Sequence, residues 1–157
     1  MSTFHECKQN LKNLMEGIKL NSNMNEAQTR FHIIDELIIK CFDWPKEYIS
    51  IENYENKQFT DYELGKPRQM IWEAKREGYS FSFPPDIFKN IKVDLPSIMD
   101  YSKEIKEAVI QVQGYCSSRG VGIANVTNGH QHIIFLASRA DGIAPLDAKA
   151  LIFRSLN

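Results

Sequence analysis

Apolar residues recur at helical spacing along the first third of the chain. Leu11, Leu14, Met15 and Ile18 form one stripe within Phe4 to Ile18, and Phe31, Ile34, Leu37, Ile38 and Cys41 form a second after Asn25. Asn21-Ser22-Asn23 predicts a turn between the two helices, Asn25 is placed to cap the second, and Asp43-Trp44-Pro45 ends it near Phe42. The period then changes. Tyr48 to Glu52, Phe59 to Leu64 and Gln69 to Lys75 read as three strands of a meander. Tyr79 to Phe83 alternates like an edge strand and stops at Pro84-Pro85. From there to Asp100, with a further break at Pro96, the pattern predicts a segment wandering over the surface. Ser102 to Ser118 is a helix with Ile105, Ala108, Val109, Val112 and Tyr115 facing inward, closed by Arg119-Gly120. Val121 to Thr127 and His130 to Leu136 read as strands about an Asn128-Gly129 hairpin turn. Leu146 to Phe153 predicts a last short helix. The order helix, three strands, helix, two strands predicts an α/β sandwich with a mixed central sheet.

Composition narrows this little. A chain of 157 residues, 43% hydrophobic and 25% charged, suits a single globular domain, expected to span 1–157. Residues 1–20 are an extra N-terminal helix, 25–136 the core and 137–157 a C-terminal extension. The ending at Asn157 suits a domain cut from a longer protein. A net charge of −1 argues against a uniformly basic nucleic-acid coat but leaves room for a local patch. Met1 to Leu20 does not resemble a secretory signal, and no apolar run approaches a membrane span. The three cysteines, Cys7, Cys41 and Cys116, are odd in number and far apart. They fit reduced thiols in a cytoplasmic protein and no paired zinc site.

The stretch from Asp61 to Lys75 carries the candidate chemistry. Successive strand residues point to opposite faces, so Glu73 and Lys75 share one and Ala74 takes the other. If the second and third strands pair, Asp61 approaches the same face as Glu73. Two carboxylates and an ammonium then converge. Hard cations such as Mg²⁺ take oxygen ligands, and a cation held this way can drive phosphodiester hydrolysis. The plainer alternative is an exposed Glu–Lys pair, worth roughly 0–1 kcal/mol, behind an Asp that serves a turn.

These residues and their order resemble the PD-(D/E)xK nuclease superfamily, with Asp61 as the first acid and Glu73-Ala74-Lys75 as the E-x-K. More closely, the chain is similar to nuclease domains at the N-terminus of type I restriction motor subunits and of bacterial anti-phage NTPases. Asn25-Glu26-Ala27-Gln28-Thr29-Arg30, Ile34-Asp35-Glu36-Leu37, Phe42-Asp43-Trp44 and Glu52 carry that likeness, with Gln111-Val112-Gln113-Gly114-Tyr115 and Val126-Thr127-Asn128-Gly129. It spans about Asn25 to Asn157. Thr60 stands where the family's first motif has proline.

The resemblance implies a restriction-endonuclease-like αβββαβ core and a Mg²⁺-dependent endonuclease, with Mn²⁺ able to substitute. It implies action on DNA, expected to be double-stranded, in restriction or anti-phage defence. A fused NTPase or sensor domain and a homo-oligomer are compatible with it. A catalytically silent binding module and an RNase on the same fold remain the alternatives. Asp61, Glu73 and the Ala74 carbonyl would hold the metal, with Lys75 orienting water or neutralising charge on the phosphorane. Glu26 is either a further ligand or an acid favoured by the helix dipole. Gln111 and Tyr115 lie at i and i+4 on one helix face. Gln111 is placed at the site or on the DNA backbone, and Tyr115 is placed there or in the core. Lys66, Arg68 and Arg76 either contact phosphates or are a solvated charged set. Arg30 is expected to pair with Glu26, His130 and His132 to lie on a solvated edge, and Trp44 and Trp72 to be core.

Overall fold

The computed structural model describes residues 2–18, 23–87 and 90–156. Its first helix, α1, spans Phe4–Ile18. A second helical segment, α2, covers 26–41. Asn25 caps it, accepting from the Gln28 amide while the Gln28 side chain accepts from the Asn25 amide. After one α-helical turn at Glu26–Thr29, α2 widens into π-helical stretches at Arg30–Ile34 and Leu37–Cys41. Three strands follow, β1 (Ile49–Glu55), β2 (Gln58–Leu64) and β3 (Met70–Ala74). Then come β4 (Lys92–Asp94), α3 (Leu95–Tyr101) and α4 (Lys103–Arg119). Strands β5 (Ile123–Thr127), β6 (His132–Leu136) and β7 (Lys149–Phe153) complete the chain.

All seven strands form one mixed sheet, in the order β1-β2-β3-β5-β6-β7-β4. Strands β3 and β5 pair in parallel and the other neighbours are antiparallel. That parallel pairing requires a crossover, and α3 and α4 lie on it. On one face, Ile105, Val109, Val112 and Cys116 of α4 pack with Ile71, Ala124, Val126, Ile133 and Ile152. Ile71 and Trp72 point to opposite faces, so Trp72 joins Tyr62, Leu64 and Ala74 against Ile34 and Ile38 of α2. Helix α1 lies outside α2, with Leu11, Leu14 and Ile18 set against Ile33 and Leu37. The class is α/β with helices on both faces.

Several expectations need correction. The expected turn at Asn21-Ser22 lies outside the described residues. Phe31 is 68% exposed, and Ile33 takes a buried place in α2. The wider π turns rotate the apolar stripe away from the spacing of a regular α-helix. Tyr79 to Phe83 is not a strand. Phe81 and Phe83 are buried, but the Phe81 amide and carbonyl bond the side chain of Gln131. An amide side chain stands in for a strand partner. The segment before Asp100 is not wholly surface loop, because it includes β4 and the start of α3, which Pro96 initiates rather than breaks. Leu146 to Phe153 is not a helix: Lys149–Phe153 is β7, paired with β6 and β4. Residues 149–153 therefore belong to the central sheet. Trp72 is buried and Trp44 packs on the same cluster, as expected.

Candidate functional site

The site forms where β2 and β3 part. Their last paired rung is Tyr62 with Trp72. Beyond it β3 continues along β5, Ala74 facing Thr127, and the Lys75 amide donates to the Thr127 carbonyl at 2.7 Å. The Ala74 amide donates instead to the Asp61 carboxylate, also at 2.7 Å. The β1–β2 ladder is broken at the same level. It pairs Ile51 with Tyr62 and Asn53 with Thr60 but skips Glu52 and Asp61, and Glu52 has a φ of 51°. For a residue with a Cβ that left-handed conformation costs on the order of 1 kcal/mol. Asp61 is thus released from both neighbouring ladders.

Glu73 and Lys75 share a face as expected. The Lys75 ammonium donates to Glu73 Oε1 at 2.7 Å and to Gln111 Oε1 at 3.2 Å. Gln111 in turn donates to the Tyr115 hydroxyl at 2.9 Å, one turn further along α4. Tyr115 also stacks against the Arg119 guanidinium. Glu26 is exposed in the first turn of α2, near enough that its charge acts on Glu73 and Lys75. The structure therefore gathers Glu26, Asp61, Glu73, Lys75, Gln111 and Tyr115 around the open end of β3.

Of the three cations expected to meet phosphates, Lys66 and Arg68 lie away from this row. Both sit in the β2–β3 turn, before β3 begins at Met70 and at the opposite end of that strand from Lys75. Lys66 is exposed, while Arg68 is half-buried and paired with Glu55 at 2.5 Å and Glu63 at 3.4 Å. Arg76 follows Lys75 and is exposed. Thr60 is buried and donates to Glu63 at 3.0 Å.

Electrostatically the cluster is strained. Burial pushes the Glu73 carboxyl up to about 7, and the neighbouring charge of Asp61 adds to it. Burial also raises Asp61, although the Ala74 amide, Arg30 and Lys75 pull it back. Lys75 loses solvation, yet Glu73 and Asp61 hold its ammonium above the ordinary lysine range. Lys75 is a fixed cation, and Glu73 is an acid able to carry a proton near neutrality.

Two participants, Arg30 and Glu52, were given no role at the site by the sequence patterns. Arg30 does not pair with Glu26. It lies 2.9 Å from Glu52 and 3.7 Å from Asp61. Its position was accessible, since it stands one helical turn after Glu26 and so faces the same way. Glu52 was accessible through the β1–β2 turn. Asn56 and Lys57 both have positive φ, the signature of a two-residue hairpin turn, and that turn sets Glu52 opposite Asp61. Lysine rather than glycine at the second turn position conceals it.

The histidines also need correction. His132 is not on a solvated edge but buried between Asn125 and Thr127, and burial drives its ring down to about 4. His130 lies 2.8 Å from Glu77, an acid remote in sequence.

Among the described residues, no group of three or more His, Cys, Asp or Glu side chains is arranged to hold a metal ion. What the site offers is two partly desolvated carboxylates and a neighbouring main-chain carbonyl. That donor set fits Mg²⁺, which retains several waters and is commonly bound through one or two carboxylates. Burial disfavours the charged form of both Asp61 and Glu73, a cost that a divalent cation between them would offset. No helix among the described residues is long and apolar enough to cross a membrane. Family models, curated proteins and solved structures gave no significant match to this chain.

Proposed function

We propose that the chain is a metal-dependent endonuclease that hydrolyses DNA phosphodiester bonds, built on a restriction-endonuclease-like core of the PD-(D/E)xK type. One observation carries this: the convergence of Asp61, Glu73 and Lys75 at the point where β2 leaves β3. Asp61, Glu73 and the Ala74 carbonyl would hold Mg²⁺ or Mn²⁺, with Glu26 at its margin. When bound, such an ion supplies Lewis acidity toward a phosphoryl oxygen.

The chain's own residues do the rest. Lys75, held as an ammonium by Glu73 and Asp61 in the metal-free protein, is placed to stabilise negative charge developing on the phosphorane. Gln111 fixes the ammonium from α4 while Glu73 fixes it from β3, which limits its swing. Tyr115 holds Gln111. Lys66 and Arg76, both exposed, are available to backbone phosphates. Arg68 would have to exchange its carboxylate partners to join them. We place the activity in the cytoplasm, as the effector of a larger restriction or anti-phage protein.

The test is nicking of supercoiled plasmid by the whole chain with Mg²⁺ or Mn²⁺, beside Asp61→Ala and Lys75→Ala. Cutting that needs metal and disappears in both variants supports the proposal. Equal residual cutting in all three defeats it and favours a catalytically silent binding module. Matched RNA and DNA substrates separate a ribonuclease from a deoxyribonuclease.

A further inference from the structure

Arg30 projects from the first π-helical stretch of α2 into the gap left by the broken β1–β2 ladder. It is not an ordinary surface cation, because its side chain is only 14% exposed. Its guanidinium lies over the Tyr62 ring, 5.1 Å from the centroid, and Nε donates to the Tyr62 hydroxyl at 3.4 Å. That hydroxyl is itself committed, donating to Asp35 at 2.8 Å. Nη1 donates to Glu52 at 2.9 Å and stands 3.7 Å from Asp61 Oδ1. The other Asp61 oxygen, Oδ2, accepts from the Ala74 amide.

We propose that Arg30 is a positioning residue for Asp61. The Asp61 carboxylate is held at both ends, by the Ala74 amide on one oxygen and by the Arg30 guanidinium on the other. The array from Asp35 through Tyr62 to Glu52 keeps that guanidinium in place. Nη1 faces both carboxylates while Nε serves the Tyr62 hydroxyl and the plane covers the ring, so an ammonium cannot satisfy Glu52, Asp61 and the Tyr62 ring together. The backbone conformation of Glu52 has a reason in this arrangement: it turns the exposed Glu52 carboxylate toward Arg30. What Asp61 is held for rests on the proposed function. That it is held does not.

The experiment is amide hydrogen exchange by NMR on the whole chain in metal-free buffer. Wild type, Arg30→Met, Arg30→Lys and Glu52→Gln are compared at Ala74, with Ile71 and Val126 as controls. Arg30→Met should speed exchange at Ala74 at least tenfold and leave the controls unchanged. Arg30→Lys should restore part of the protection. Glu52→Gln, at an exposed position outside the core, should shift Ala74 in the same direction by less. Unchanged protection at Ala74 in both Arg30→Met and Glu52→Gln would overturn the proposal, as would equal loss at the controls. Calorimetry with Mn²⁺ on wild type and Asp61→Asn tests the metal separately. Heat absent from wild type removes the metal reading, while the exchange data still decide the role of Arg30.

Discussion

The Asp61 carboxylate accepts from the Ala74 amide at 2.7 Å, at the level where the next rung of the β2–β3 ladder would lie. A side chain thus does the work of a main-chain carbonyl, and Ala74 is buried. Asp61→Asn keeps an acceptor for that amide and removes a charge that burial disfavours. Asp61→Ala removes both and leaves a buried donor unsatisfied, at about 1–3 kcal/mol. Asp61→Asn should therefore be at least as stable as wild type in urea, with Asp61→Ala below it by that amount. Equal stability of the two variants would show that the hydrogen bond contributes nothing.

Glu73 gives the metal-free protein a pH dependence of definite sign. Its carboxyl ordinarily titrates at 4.5 and in the fold at about 7, from burial first and Asp61 second. Glu26 also raises it and Lys75 opposes the rise. Between those values the folded state holds the extra proton, so stability falls as pH rises from about 4.5 to about 7 and is level above. The gap in stability between Glu73→Gln and wild type should widen over that window by up to roughly 3 kcal/mol. Urea melts of both proteins at pH 5 and pH 8 measure it. A gap that does not change with pH would mean that Glu73 ionises as an ordinary carboxylate.

The sheet and the candidate site were legible in the sequence to different depths. Strand alternation alone puts Glu73 and Lys75 on one face, and the expected pairing of the second and third strands brings Asp61 to them. The second and fourth helices followed from their stripes. Strand β7 was not found. Its inward residues, Ala150 and Ile152, alternate with Leu151 and Phe153, which are apolar yet part-exposed, so the period-2 contrast vanishes. That miss had a consequence at His132. Without β7, strand β6 looks like an edge, and a histidine on it looks solvated. Arg30 was misplaced because the ladder break at Glu52 depends on a local backbone conformation that residue type does not favour.

His132 makes its own prediction. Its ring is pushed from an ordinary 6.5 to about 4, by burial and then by His130. The folded state resists protonation, so its contribution is intact above about 6.5 and is lost as pH falls toward 4. The ring should remain neutral at pH 5.5 in a ¹⁵N-detected NMR titration, hydrogen-bonded to Asn125 and Thr127. A transition near 6.5 would mean that water reaches the ring.

The Arg119–Glu63 pair is the tie whose loss should cost most. Arg119 Nε lies 2.8 Å from Glu63 Oε1, and the two side chains are 0% and 2% exposed. Arg119 also donates to the carbonyls of Glu55 and Gln58, so the end of α4 is fastened to the β1–β2 hairpin. Gln111, Tyr115 and Arg119 follow one another at four-residue spacing, so the same helix face carries this fastening and the contact with Lys75. Arg119→Met would strand Glu63 with only Asn53, Thr60 and the more distant Arg68. Breaking one side of a buried pair costs about 3–5 kcal/mol, whereas removing both charges costs much less. Urea unfolding should show that loss in Arg119→Met and a partial recovery in Arg119→Met with Glu63→Gln, a non-additivity that identifies direct coupling. A loss below about 1 kcal/mol in the single variant would place the pair in water-like surroundings, and α4 would then need another means of holding Gln111 against Lys75.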